Sequence, residues 1–134
     1  MVTKFGLLPG FACALFIAAA VSPAVAQAPT VAGVHEDLQI SCVAGANGLV
    51  VNQTGCIAAV ARAITAANAL ATLGETAPQV DIGCLVGQIM INFPALAQQV
   101  IDLVNESGNA AIALGISNCL GENWVGPRPI VSPA

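Results

Sequence analysis

Residues 81–121 read DIGCLVGQIMINFPALAQQVIDLVNESGNAAIALGISNCLG. Cys84 stands near the start of this stretch and Cys119 near its end. Between them lie an amphipathic segment, a break at Ser107-Gly108-Asn109, and an almost wholly apolar segment. From 95 to 105 the helical period is clear: Gln98, Gln99, Asp102 and Asn105 share one face with Glu106, and Leu96, Val100, Leu103 and Val104 share the other. Residues 110–117 carry no polar side chain before their end, so that helix is expected at the centre of the fold. Antiparallel packing of the two segments brings the start of one to the end of the other. That pattern predicts two packed helices stapled by Cys84–Cys119.

Pro94 interrupts the first segment. It either kinks a long helix or opens a new one, because only in a first turn is its missing N–H harmless. Asp81 is the expected N-cap of the segment that begins near Gln79. Upstream, residues 57–73 contain neither Pro nor Gly. Thr54-Gly55 offers a cap. Arg62, Thr65, Asn68 and Thr72 fall on one narrow stripe, with Ile57, Val60, Ile64, Leu70, Leu73 and many alanines around the rest. Gly74 ends that helix and Pro78 follows as a second stop. Residues 38–52 have two competing readings. Asn47-Gly48 ahead of Val50-Val51 favours a short β-hairpin; Ala44 and Ala46 favour one irregular helix.

The ends read differently. Lys4, an apolar run from Phe5 to Val21, and Ser22-Pro23-Ala24-Val25-Ala26 make the pattern of a secretory signal peptide over 1–26, cut after Ala26. The competing reading is an uncleaved anchor. Cys13 would leave with the signal. Residues 27–37 read as a flexible leader, 38–120 as a helical disulfide-bonded domain, and 121–134 as a tail in which Pro127, Pro129 and Pro133 forbid regular helix. Trp124, the one tryptophan, is expected to fold back as a lid. No apolar run after the signal reaches the roughly 18 to 20 residues that span a bilayer.

Four cysteines remain beyond the signal: Cys42, Cys56, Cys84 and Cys119. An even count in a small exported chain reads as two disulfides. Closing the short loop 42–56 is easy, so Cys42–Cys56 and Cys84–Cys119 are the expected pairs. A zinc site would bring its cysteines in close pairs, and none occurs. The fold expected is mainly α: a small disulfide-stapled bundle of three to four helices, with or without the hairpin.

Composition excludes several functions. The chain is 57% hydrophobic and 7% charged, with a formal net charge of −4 and three basic residues. One of those is Lys4. Arg62 and Arg128 cannot form the basic surface that nucleic acid or anionic lipid requires. His35 is the lone histidine and sits in a polar His35-Glu36-Asp37 cluster, where it reads as solvated. No nucleophile elbow, phosphate loop, cofactor motif or metal motif is present. The Asn52-Gln53-Thr54 and Asn105-Glu106-Ser107 sequons matter only in a eukaryotic secretory pathway. The small-xxx-small spacings at Gly83/Gly87 and Ala111/Gly115 read as close helix contacts within one core.

The expectation is therefore a secreted, non-enzymatic helical protein that binds a hydrophobic, lipid-like ligand or an apolar surface, with Met90, Phe93 and Trp124 as contacts. The alternative is a self-associating structural or protein-interaction module. Both rest on more apolar residues than a core of this length can hide.

Overall fold

The computed structural model describes residues 28–131. The signal-peptide reading of 1–26, with Cys13 and the cut after Ala26, lies outside the described residues, as does Pro133. The described chain is mainly helical. It has five helices: α1 (Val31–Ser41), α2 (Gln53–Thr72), α3 (Ala77–Asn92), α4 (Ala97–Ser107) and α5 (Ala110–Leu120). A single 3₁₀ turn, Pro94–Leu96, leads into α4.

The helix beyond the expected count is α1. Residues 31–37, expected in a leader, are helical, and so are 38–41, for which strand and irregular helix are the competing readings. Thr30 caps α1 by accepting the Gly33 N–H at 3.0 Å, and Val34 and Leu38, one turn apart, are its buried residues. Because α1 runs to Ser41, little chain is left for a hairpin. No strand forms among the described residues; one isolated antiparallel bridge joins Ala44 to Val50. The Val51 N–H donates to the Val43 carbonyl at 2.8 Å. Asn47 and Gly48 sit at the tip with φ of 61° and 73°, the left-handed conformation that Asn and Gly tolerate best.

α2 begins earlier than its apolar pattern suggests. Asn52, rather than Thr54, caps it, accepting the Gly55 N–H at 2.9 Å. Arg62, Thr65, Asn68 and Thr72 are exposed as expected, and Cys56, Ala59, Val60, Ala63, Ile64, Ala67 and Leu70 are buried. At 20 residues α2 is long and apolar enough to cross a membrane by length and composition, as is the bent α3–α4 pair taken together. No uninterrupted apolar run of that length underlies it, since Arg62, Thr65, Asn68 and Thr72 fall within α2. The alanines carry the apolar average across the polar stripe.

Pro78 does not stop a helix but sits in the first turn of α3, where no N–H is needed. Asp81 therefore lies inside α3 rather than at its cap. Pro94 opens a new helical direction: α4 turns 114° away from α3. Gly108, with φ of 66°, ends α4, and Asn109 caps α5 by accepting the Ile112 N–H at 3.0 Å.

The centre belongs to α3, which packs against all four other helices and most extensively against α5. The expectation that α5 is central fails. Ile112, Ala113, Gly115 and Ile116 face inward, while Leu114, Ser117 and Asn118 face solvent. α3 and α5 run parallel, not antiparallel as expected, because the turn at Pro94 and the whole of α4 lie between them and bring the chain back to the start of α3: Asn109 meets Gln79, and Gly87 meets Ile116 and Cys119. The two helices cross backbone to backbone. A Cβ added at Gly83 would lie 3.0 Å from the Gly115 Cα, and one at Gly115 would overlap the Val80 carbonyl oxygen. The small residues that permit this are the ones singled out in the sequence.

Both expected disulfides close. Cys42 and Cys56 have Cα atoms 4.6 Å apart and Cys84 and Cys119 5.2 Å apart, both within the range a disulfide spans. The pairs are compatible with an oxidising environment. The remaining link of note is polar. Gln79 is buried; its Nε2 donates to the Glu75 carbonyl at 2.6 Å and its Oε1 accepts from Asn109 Nδ2 at 3.1 Å. Asn109 Nδ2 also donates to Asn68 Oδ1 at 2.9 Å. One asparagine thereby ties α2, α3 and the start of α5, and the buried amide of Gln79 is satisfied at both ends.

Candidate functional site

Two helical stripes face each other across the surface between α1 and α3. His35, Leu38, Gln39 and Cys42 follow the spacing i, i+3, i+4, i+7 on and just after α1. Leu85, Gln88, Ile89 and Asn92 follow the same spacing on α3. Residues so spaced share one side of a helix, and here the two sides line a groove of about 630 Å³. Phe93 closes one part of it and Ala44 and Gly48 of the disulfide loop another. The floor is apolar: Leu38, Ile89 and Phe93 are buried. His35, Gln39, Gln88 and Asn92 are exposed and give the groove a rim of two-way hydrogen-bonding groups.

No carboxylate, Lys or Arg lines the groove. Both described arginines are engaged elsewhere. Arg62 donates through Nε to Asp37 Oδ2 at 2.9 Å and through Nη2 to Asp37 Oδ1 at 3.0 Å. Its guanidinium holds the Asp37 carboxyl below the usual carboxylate range, because a bidentate cation favours the ionised form. Arg128 donates to the carbonyls of Gly121 and Trp124, at 2.6 and 3.1 Å.

The three expected ligand contacts do not converge. Phe93 reaches the groove. Met90, one turn earlier on α3, is wholly buried in the core. Trp124 is half-buried against the core but does not line the groove. Its indole N–H donates to the Pro127 carbonyl at 2.9 Å, and the tail continues back to α4, where the Ile130 N–H donates to Asn105 Oδ1 at 2.9 Å. The tail thus folds back as expected, over a different part of the molecule. The sequence contains the signal that finds the groove: the two equally spaced stripes, 50 positions apart. It becomes readable only once residues 35–41 are known to be helical.

Beside the groove the disulfide loop is apolar and open. Val43 is 48% exposed, Leu49 58% and Val51 69%, and Ile40, on α1 just before the loop, 70%. Among the described residues no group of three or more metal-ligating side chains forms. Asp37 pairs with Arg62. No protein-family model matches the chain, and comparison with curated proteins and with solved structures finds no match.

Proposed function

We propose that this chain is a small secreted, non-catalytic protein that holds an uncharged amphiphile in the groove between α1 and α3. The observation that carries the reading is the groove itself. Its apolar floor and its hydrogen-bonding rim, without carboxylate, Lys or Arg, match a ligand with an apolar body and a polar but uncharged head. Its volume falls in the range of about 300–1,000 Å³ typical of small-molecule sites. A carboxylate or phosphate head would find no Lys or Arg there.

The test is a titration of the folded protein with a monoglyceride bearing a dodecanoyl chain, followed by amide chemical shifts. Saturable shifts at Gln39, Gln88 and Asn92 are expected, and Gln88→Trp, which fills the groove from an exposed position, abolishes them. Trp124 fluorescence stays unchanged, since the indole is not in the groove. Absence of saturable shifts at these residues overturns the reading.

A second reading rests on a separate observation. Val43, Leu49 and Val51 expose apolar side chains along one covalently closed loop, with Ile40 beside it at the end of α1, and such patches mark association sites. Sedimentation of the same ligand-free sample decides for it if the protein forms oligomers that Val51→Asp dissolves.

A further inference from the structure

We infer that Asn52 is an acceptor for an N-linked glycan and that Asn105 is not. Both head a sequon, but the fold treats them differently. Asn52 is exposed at the N-cap of α2. Its Oδ1 accepts the Gly55 N–H at 2.9 Å, which turns the carboxamide so that Oδ1 faces the helix and Nδ2 is the substitutable end. Thr54, the hydroxyl residue of that sequon, is exposed as well. A sugar on Nδ2 keeps the capping oxygen in place.

The second sequon is woven into the structure. Asn105 lies inside α4, half-buried, and its Oδ1 receives the Ile130 N–H of the returning tail. Ser107 Oγ donates to the Val104 carbonyl at 2.6 Å and accepts the Asn109 N–H at 3.2 Å. Both polar members of this sequon are thus already used by the fold.

The surroundings of Asn52 give a glycan something to do. Leu49 and Val51 immediately precede it, and both are more than half exposed. A bulky hydrated oligosaccharide anchored there shields the apolar loop from contact with other molecules. The inference rests on export through a eukaryotic secretory pathway. The co-reactant is a polyprenyl-pyrophosphate-linked oligosaccharide supplied by that pathway. Asn52 Nδ2 bonds to the anomeric carbon; the bond from that carbon to the pyrophosphate oxygen breaks, its electron pair leaving with the lipid pyrophosphate. One Nδ2 proton passes to a base of the transferase.

The experiment is secretion of the full chain, with its own leader, from a eukaryotic host that glycosylates a sequon-bearing reporter in the same culture. Intact mass and peptide mapping of the product follow. One glycan at Asn52 is expected, and enzymatic deglycosylation leaves aspartate at that position. Because Asn52 also caps α2, the decisive variants are at Thr54. Thr54→Ala keeps the cap and loses the glycan; Thr54→Ser keeps both. Ser107→Ala leaves the glycan in place. The Thr54→Ala protein is expected to associate at lower concentration than the wild type. A glycan at Asn105, no glycan at either site, or a chain retained unglycosylated in the cell overturns the inference.

Discussion

Gly83 and Gly115 are the positions least able to accept a side chain. Each occupies the line where α3 and α5 meet, and a methyl group on either would overlap a carbonyl oxygen of the facing helix, Ile112 for one and Val80 for the other. Backbone cannot swing aside as a side-chain tip can. Gly83→Ala and Gly115→Ala are therefore expected to destabilise the fold by about 1–3 kcal/mol or more, as overpacking of a filled core does. Gly87 tests the argument from the other side. A Cβ there would lie 3.3 Å from the Ile116 carbonyl oxygen, close but adjustable, and the change also removes glycine's entropic cost in a helix of about 1 kcal/mol. Gly87→Ala is expected to be near neutral. Urea unfolding of the three variants checks the order; equal losses at all three would remove the close crossing as the cause. The spacing of these glycines was readable in the sequence. Which of them sit on the contact line was not, because that depends on the crossing angle of two helices.

At the scale of elements, α1 is the piece the sequence conceals and the groove depends on. Its apolar contribution is small, with Val34 and Leu38 as its buried residues, and His35, Glu36 and Asp37 between them look like loop. Tertiary contacts supply what local pattern lacks. One is the Asp37–Arg62 pair, which ties α1 to α2 at 2.9 Å. The other is the Cys42–Cys56 bridge just beyond the end of α1. By contrast α2, α4 and α5 were legible, since their polar stripes, the break at Gly108 and the cap at Asn109 all state the same answer locally. The ion pair has a consequence for acid stability. Arg62 lowers the Asp37 pKa in the folded state, so the ionised form is favoured by folding. Its contribution is complete above the unfolded carboxylate value, near pH 4, and is lost as pH falls through the lower folded value. Both partners are substantially exposed, so the effect is a modest part of the total. Asp37→Asn is expected to lower stability at neutral pH and to flatten the fall in stability at acid pH. Melting curves from pH 7 to below pH 4 measure it; an unchanged acid slope would remove Asp37 as its source.

For the molecule as a whole, the two bridges divide the chain into rings of unequal size. The loops span 14 and 35 residues. Restricting the larger loop in the unfolded chain stabilises more, by about 0.8 kcal/mol in the entropic account, and each bridge contributes about 2–4 kcal/mol. Replacing Cys84 and Cys119 by alanine is therefore expected to lower stability more than replacing Cys42 and Cys56. Guanidinium titration of the two double variants tests this, and the reverse order would show that native-state contacts around the small loop outweigh chain entropy. The pairing is the expected one but not for the expected reason: the expectation rests on antiparallel helices, whereas α3 and α5 run parallel, with Gln79 at Asn109, Gly83 at Gly115 and Gly87 at Ile116 and Cys119. The site was not legible, because it joins stripes 50 positions apart in the chain, one of them on a helix the sequence conceals. The same rings also set how the molecule carries a load. Tension applied between its two ends passes across each bridge and leaves the enclosed residues slack. The larger ring hides about 120 Å of contour and the smaller about 50 Å. Oxidised, the protein can extend only through the residues outside the rings; a reductant would release the hidden length without cutting a single peptide bond.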